Sequence, residues 1–256
     1  DEMSSRGLGD VYKRQVASTP VIRGLSGPRV KITQNGLDVV DASRVGPDHA
    51  VATDAATAEQ IEILRGPATL FYGSGAIGGV VNVVDKRVPK DSVTEGHGLI
   101  SYDSVNEQTL TALSGTTGNQ WLGIYADGFW RDAEDYNVPE ANESEHNEHA
   151  GEAHDEDHAS DTVANSAEQS RGGTLGASLL LDNGFVGLSV GRLNRDYGVP
   201  GHGGEDESVF AALAQNRYQL LSELDLQNNV LKAIHTRAGF TDYQHAEIED
   251  GEVGTV

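Results

Sequence analysis

Of the nine histidines in this 256-residue chain, four stand within thirteen residues: His146, His149, His154 and His158. His146 and His149 are three apart and His154 and His158 four apart, so each pair could share one metal ion on a helical turn, with Glu145, Glu148 or Asp155 completing the shell. Twelve acidic residues lie in the surrounding stretch from Asp132 to Asp161, with Arg131 at its edge, a composition that draws cations. Such a run is by default a solvated, unstructured loop; the density of histidine argues for metal capture instead. Neutral imidazole binds zinc, copper or nickel in preference to calcium or magnesium, and intrinsic affinity favours copper over zinc, so the spacing selects a class of ion and not one element. His202, followed by Glu205, Asp206 and Glu207, repeats the pairing of imidazole with acid, its alternative being an ordinary turn residue.

Other chemistries find less support. Gly73-Ser74-Gly75-Ala76-Ile77-Gly78 satisfies the dinucleotide-binding spacing. That fingerprint must open a helix whose N-terminus receives pyrophosphate, whereas the β-branched run Val80 to Val84 follows here, so nucleotide binding is set aside. No Ser/His/Asp arrangement or carboxylate pair stands out, and the expectation is a protein with neither enzymatic activity nor a prosthetic group. The absence of cysteine leaves any metal to imidazole and carboxylate. A formal charge of -22 repels nucleic acid and favours cationic partners.

The elements that must position these residues alternate. Leu122, Ile124, Ala126 and Trp130 share one face of a strand; Leu175, Ala177, Leu179 and Leu181 repeat the pattern opposite Thr174, Gly176 and Ser178. Asp182-Asn183-Gly184 turns the chain into Val186, Leu188 and Val190, and a second hairpin joins Tyr218 to Leu226 with Val230 to Phe240. Turns at 115–119, 182–184 and 228–229 are short, while 132–170 and 198–215 are long and polar, the asymmetry of a transmembrane barrel with one loop-bearing rim. A soluble β-sandwich also alternates. Trp121, Trp130, Tyr197 and Tyr243 fit interfacial girdles or, equally, a core edge. No apolar run reaches the roughly 20 residues a transmembrane helix needs, which spanning strands do not require.

The segment before the strands is richer in glycine. Arg29 to Thr33 reads as a strand, Asn35-Gly36 as a turn, Thr57-Ala58-Glu59-Gln60 as a capping box opening a short helix, and Ile61 to Leu64 and Val80 to Val84 as strands. Two stretches, PVIRGLSGPRVKITQNGLDVVD from Pro20 and AEQIEILRGPATLFYGSGAIGGVVNVVDKRVP from Ala58, closely resemble the plug of TonB-dependent outer-membrane receptors. The resemblance implies a mainly β protein: a small mixed α/β plug domain at 16–92, then antiparallel transmembrane β-barrel strands at 93–256 that form an incomplete barrel of six or seven strands, with the histidine- and acid-rich external loop at 132–170. Residues 1–15 resemble translated adapter sequence and are read as non-native. A bacterial outer-membrane location, contact with membrane lipid, and energy delivered through the TonB complex are further implications, with the TonB-contacting segment and later strands expected to be absent from this chain.

Within that family the chain looks most like zinc receptors of the ZnuD type, on QNGLDVVDASRVGPDHAVATD and the histidine-rich loops. By this resemblance Asp48 and His49 on a plug loop receive a divalent metal, zinc first, as transported substrate. His146, His149, His154, His158 and His202 would concentrate it above them. The alternatives are a siderophore-iron or cobalamin receptor of the same fold, disfavoured by Tyr136 being the sole aromatic in the 132–170 loop, and a soluble metal-binding β-protein.

Overall fold

The computed structural model describes residues 19–46, 49–138, 162–200, 209–226, 230–249 and 252–254. Two sheets account for them. The first holds β1 (Val30–Gln34), β2 (Leu37–Asp38), β3 (Gln60–Leu64) and β4 (Gly79–Val84) in the order β2-β1-β4-β3. β1 and β4 run parallel, Val30 opposite Gly79 and Gln34 opposite Val83, while β2 and β3 flank them antiparallel. Asn35 (φ 53°) and Gly36 (φ 77°) make the expected hairpin turn, both in the left-handed region that the native twist demands of a two-residue connection.

The helical part of this domain consists of short 3-10 turns at Gly27–Arg29, Ala42–Arg44 and Gly66–Tyr72. The helix expected from Thr57 onward does not form. Glu59 donates its backbone N–H to Val84 and Gln60 already pairs with that residue, so the segment is committed to the sheet before a helical turn can close.

The second sheet is an antiparallel meander: β5 (Glu95–Asp103), β6 (Gln108–Gly118), β7 (Leu122–Ala133), β8 (Glu168–Leu181), β9 (Gly184–Gly198), β10 (Val209–Asp225), β11 (Ala233–Glu249) and β12 (Glu252–Gly254). Eight strands thus follow the first sheet among the described residues, against the six or seven expected. Short connections join β6 to β7, β8 to β9 and β10 to β11 at one rim, and the long ones leave from the other.

Polarity across this sheet is reversed relative to a soluble sandwich. Thr174 is 6% exposed and its neighbour Leu175 is 64% exposed; Ser170, Ser178, Ser189, Gln215, Arg217 and Gln219 are buried, while Leu179, Leu188, Tyr218 and Phe240 are open. The register aligns the open residues in rows, Ala126–Leu175–Val190–Tyr218–Phe240 and Ile124–Ala177–Leu188–Leu220–Ala238. Each of the larger ones, about half exposed, would forfeit roughly 1 kcal/mol in water. Seven or so together rival the roughly 5–15 kcal/mol net stability of a whole domain, so this face is poorly suited to water. Trp121 and Trp130 sit on or beside it, whereas Tyr197 is fully buried and Tyr243 turns inward, which separates the two girdle candidates from the two core ones.

The inner face packs on the first domain. Ile32, Val39 and Ala52 share one cluster with Leu193 and Leu213, and Ala50 another with Tyr197, Val199 and Ala211. The connection at Arg87–Pro89 lies flush on the wall: a Cβ at Gly176 would stand 1.7 Å from the Arg87 carbonyl oxygen, so only glycine fits there.

Candidate metal centre

Asp41 builds the loop that carries His49. One of its oxygens, Oδ1, accepts from Ser43 N (3.1 Å) and caps the turn Ala42–Arg44; the other, Oδ2, accepts from Ala52 N (2.7 Å), so one carboxylate ties both ends of the loop. Two tyrosine hydroxyls from the wall fix its outside: Tyr197 accepts from Ala50 N at 2.9 Å and Tyr243 from Ala42 N at 3.3 Å. Tyr243 heads an inward row on β11, and alternation places His245 and Glu247 on that same face.

Loop and strand meet at one point. His49 Nδ1 is 3.5 Å from Glu247 Oε1, His245 Nε2 is 3.9 Å from the same oxygen, and one ligand atom from each of the three lies within 4.8 Å of the others. The imidazoles stand edge to face with centroids 4.7 Å apart, and Tyr243 stacks behind His245. Ligands about 2.1 Å from a tetrahedral zinc are separated by about 3.4 Å, so the cluster needs only a small closure to coordinate. His49 Nδ1 and both ring nitrogens of His245 are buried and hydrogen-bond to none of the described residues. Each such orphan costs about 1–3 kcal/mol.

His49 is therefore brought into a three-ligand cluster. Asp48, His146, His149, His154, His158 and His202 lie outside the described residues. The necks of the two histidine-bearing loops are described, and they are joined. Asp135 accepts from the backbone N–H groups of Ser166 (2.6 Å) and Ala167 (2.8 Å), and Asn165 Nδ2 donates to Val199 O (3.1 Å) and Val209 O (2.8 Å). The necks thus form one collar at the rim where Val209 pairs with Glu249 of β11, near His245 and Glu247. His245 and Glu247 escaped the sequence reading as ligands. The usable signal was their spacing of two on a strand whose inward face also carries Tyr243.

Comparison with known proteins fits this architecture. Residues 6–80 match the TonB-dependent Receptor Plug Domain family. Among solved structures, the chain is similar to the copper transporter OprC (17% identity, TM-score 0.69, covering 90% of this chain and 32% of that one). It is similar also to the ferric yersiniabactin uptake receptor FyuA from Yersinia pestis (14%, 0.65, 91% and 35%) and to the FrpB iron transporter from Neisseria meningitidis (12%, 0.64, 91% and 36%). The chain spans about a third of the length of each. Plug match and strand meander together define the fold of a TonB-dependent receptor. Residues 6–80 carry the plug match, and β5 to β12 form the antiparallel sheet that follows it.

Proposed function

We propose that this chain is part of an outer-membrane receptor that imports a divalent transition-metal ion, zinc first, using energy relayed by the TonB protein. The cluster of His49, His245 and Glu247 carries the reading: two buried imidazoles with unsatisfied nitrogens and one carboxylate, shared between plug and wall at the loop-bearing rim. Two nitrogens and an oxygen suit zinc, copper(II) or nickel, and the chain has no cysteine and one methionine with which to select copper(I). The cluster leaves a fourth position open, for water or for Asp48, beside His49 in sequence.

His146, His149, His154, His158 and His202 have the role of weak, multivalent capture, raising the ion concentration above the cluster. OprC is a copper transporter and FyuA takes up ferric yersiniabactin, but at this identity the likeness speaks to fold, and the donor set speaks to cargo. Zinc titration of the intact gene product in detergent should show one tight site that either His49→Ala or His245→Ala removes. Identical isotherms for parent and both variants would sink the metal reading. Growth of a deletion strain under zinc, copper and siderophore-iron limitation then distinguishes the cargo; failure in siderophore-iron medium alone would point to the other branch of the fold.

A further inference from the structure

The metal cluster is split between two bodies, so it exists only while the plug loop lies against the wall. A buried ion network a few residues beyond His49 holds it there. Asp54, on the plug, has its carboxylate 2.7 Å from Arg131 Nη1 and 2.8 Å from Arg195 Nη2. Glu168 stands 3.0 Å from Arg195 Nε and 3.5 Å from Arg131, which balances two guanidinium charges with two carboxylates. The four side chains are between 6% and 16% exposed. Arg195 also donates from Nη1 to Val51 O at 3.0 Å, gripping the loop backbone two residues from His49.

Strand register makes the socket. Arg131 on β7 and Arg195 on β9 both pair with Ser170 on β8, so the two guanidiniums flank a small buried serine in one row, and the Asp54 carboxylate enters above it. Among the described residues no other loop-to-wall contact carries as much charge in as little solvent, and an uncompensated ion left there is strongly unfavourable.

We propose that Asp54, clasped by Arg131 and Arg195, is the positioning residue of the metal site: it latches the 49–54 segment to the barrel wall, and release of that latch parts His49 from His245 and Glu247. The latch rests on the metal reading for its consequence but not for its geometry, which allows the two to be tested apart. The chain contains no cysteine, so nitroxide labels at Val45→Cys on the plug loop and Gln244→Cys on β11, both exposed, report the gap without metal.

The labelled parent should give one narrow distance distribution. Asp54→Asn should broaden it and lengthen its mean, Arg131→Gln should do so in part, and Asp54→Glu should restore it. Zinc titration of the same proteins should show Asp54→Asn weakening Kd at least tenfold with no change in the number of sites, and Asp54→Glu recovering to within about threefold. An unchanged distance distribution and Kd in both Asp54→Asn and Arg131→Gln would overturn the latch. A parent that binds no zinc, yet whose distances respond to Asp54→Asn, would overturn the metal reading and leave the latch standing.

Discussion

His49 Nδ1 and the two nitrogens of His245 are buried without a hydrogen bond among the described residues, and this deficit makes their replacement asymmetric. His245→Ala removes unsatisfied groups from the metal-free protein while deleting a ligand. Its metal-free melting temperature should stay within about 2 °C of the parent or rise, and the stabilisation by zinc, about 2.7 kcal/mol at a hundredfold excess over Kd, should vanish. Thermal melts with and without zinc check this; a zinc-dependent gain retained by the variant would remove His245 from the site. Asp54 supplies a pH test. Burial alone would raise its carboxyl, but Arg131 and Arg195 outweigh that and hold it below the ordinary value of 3.8. A carboxylate depressed in the folded state stabilises fully above its unfolded pKa and loses that contribution as pH falls through the folded one. Plug docking should therefore be intact at pH 5, begin to weaken only below 3.8 and be lost at the lower folded value, as read by protease accessibility of the 49–54 segment. At this scale the plug resemblance singled out His49, which the structure sets beside His245 and Glu247. Its neighbours His245 and Glu247 were not singled out, because their spacing of two on a strand says nothing of the distant loop they meet.

Strands were the most legible elements, since period-2 alternation over ten or more residues survives any uncertainty at the ends. What alternation withholds is which face meets the plug. Thr174 and Leu175 differ by one position and by the medium they face, so their substitutions should separate. Leu175→Arg places a charge on the apolar face and should reduce insertion stability by about 2–4 kcal/mol, read by urea titration in bilayers or detergent. Gly176→Val acts from the inside: its side chain would collide with the Arg87 carbonyl and displace the connection from plug to wall. Overpacking of that kind costs about 1–3 kcal/mol and should lower folding yield without altering the apolar face, checked by heat-modifiable migration on gels. The capping box at Thr57 misled because its helix competes with the pairing of Glu59 and Gln60 beside Val84, and sheet pairing recruits more of the chain than one turn can.

Plug and wall share cores, and that property belongs to the whole molecule. Val39 and Ala50, each almost wholly buried, reach that state against Leu193, Leu213 and Tyr197 of the strands. Residues 19–92 expressed alone should consequently show weak amide protection, with β4 outlasting β2 in hydrogen exchange; a cooperatively folded isolated segment would contradict the shared core. The two-part organisation was readable from texture alone, glycine-rich and then alternating. The docking of one part inside the other was not, because the buried wall is polar and advertises itself as surface.

The parallel pairing of β1 with β4 bears on how the plug answers force. A pull at the N-terminal end of β1 is opposed through the C-terminal end of β4, from which the chain continues to the barrel wall, and in a parallel pair those ends lie at opposite extremes of the ladder. The load then falls on all five residue pairs at once, in shear, rather than on one pair after another. The pairing of β1 with β4 is therefore the stiff member of this domain against traction along the chain.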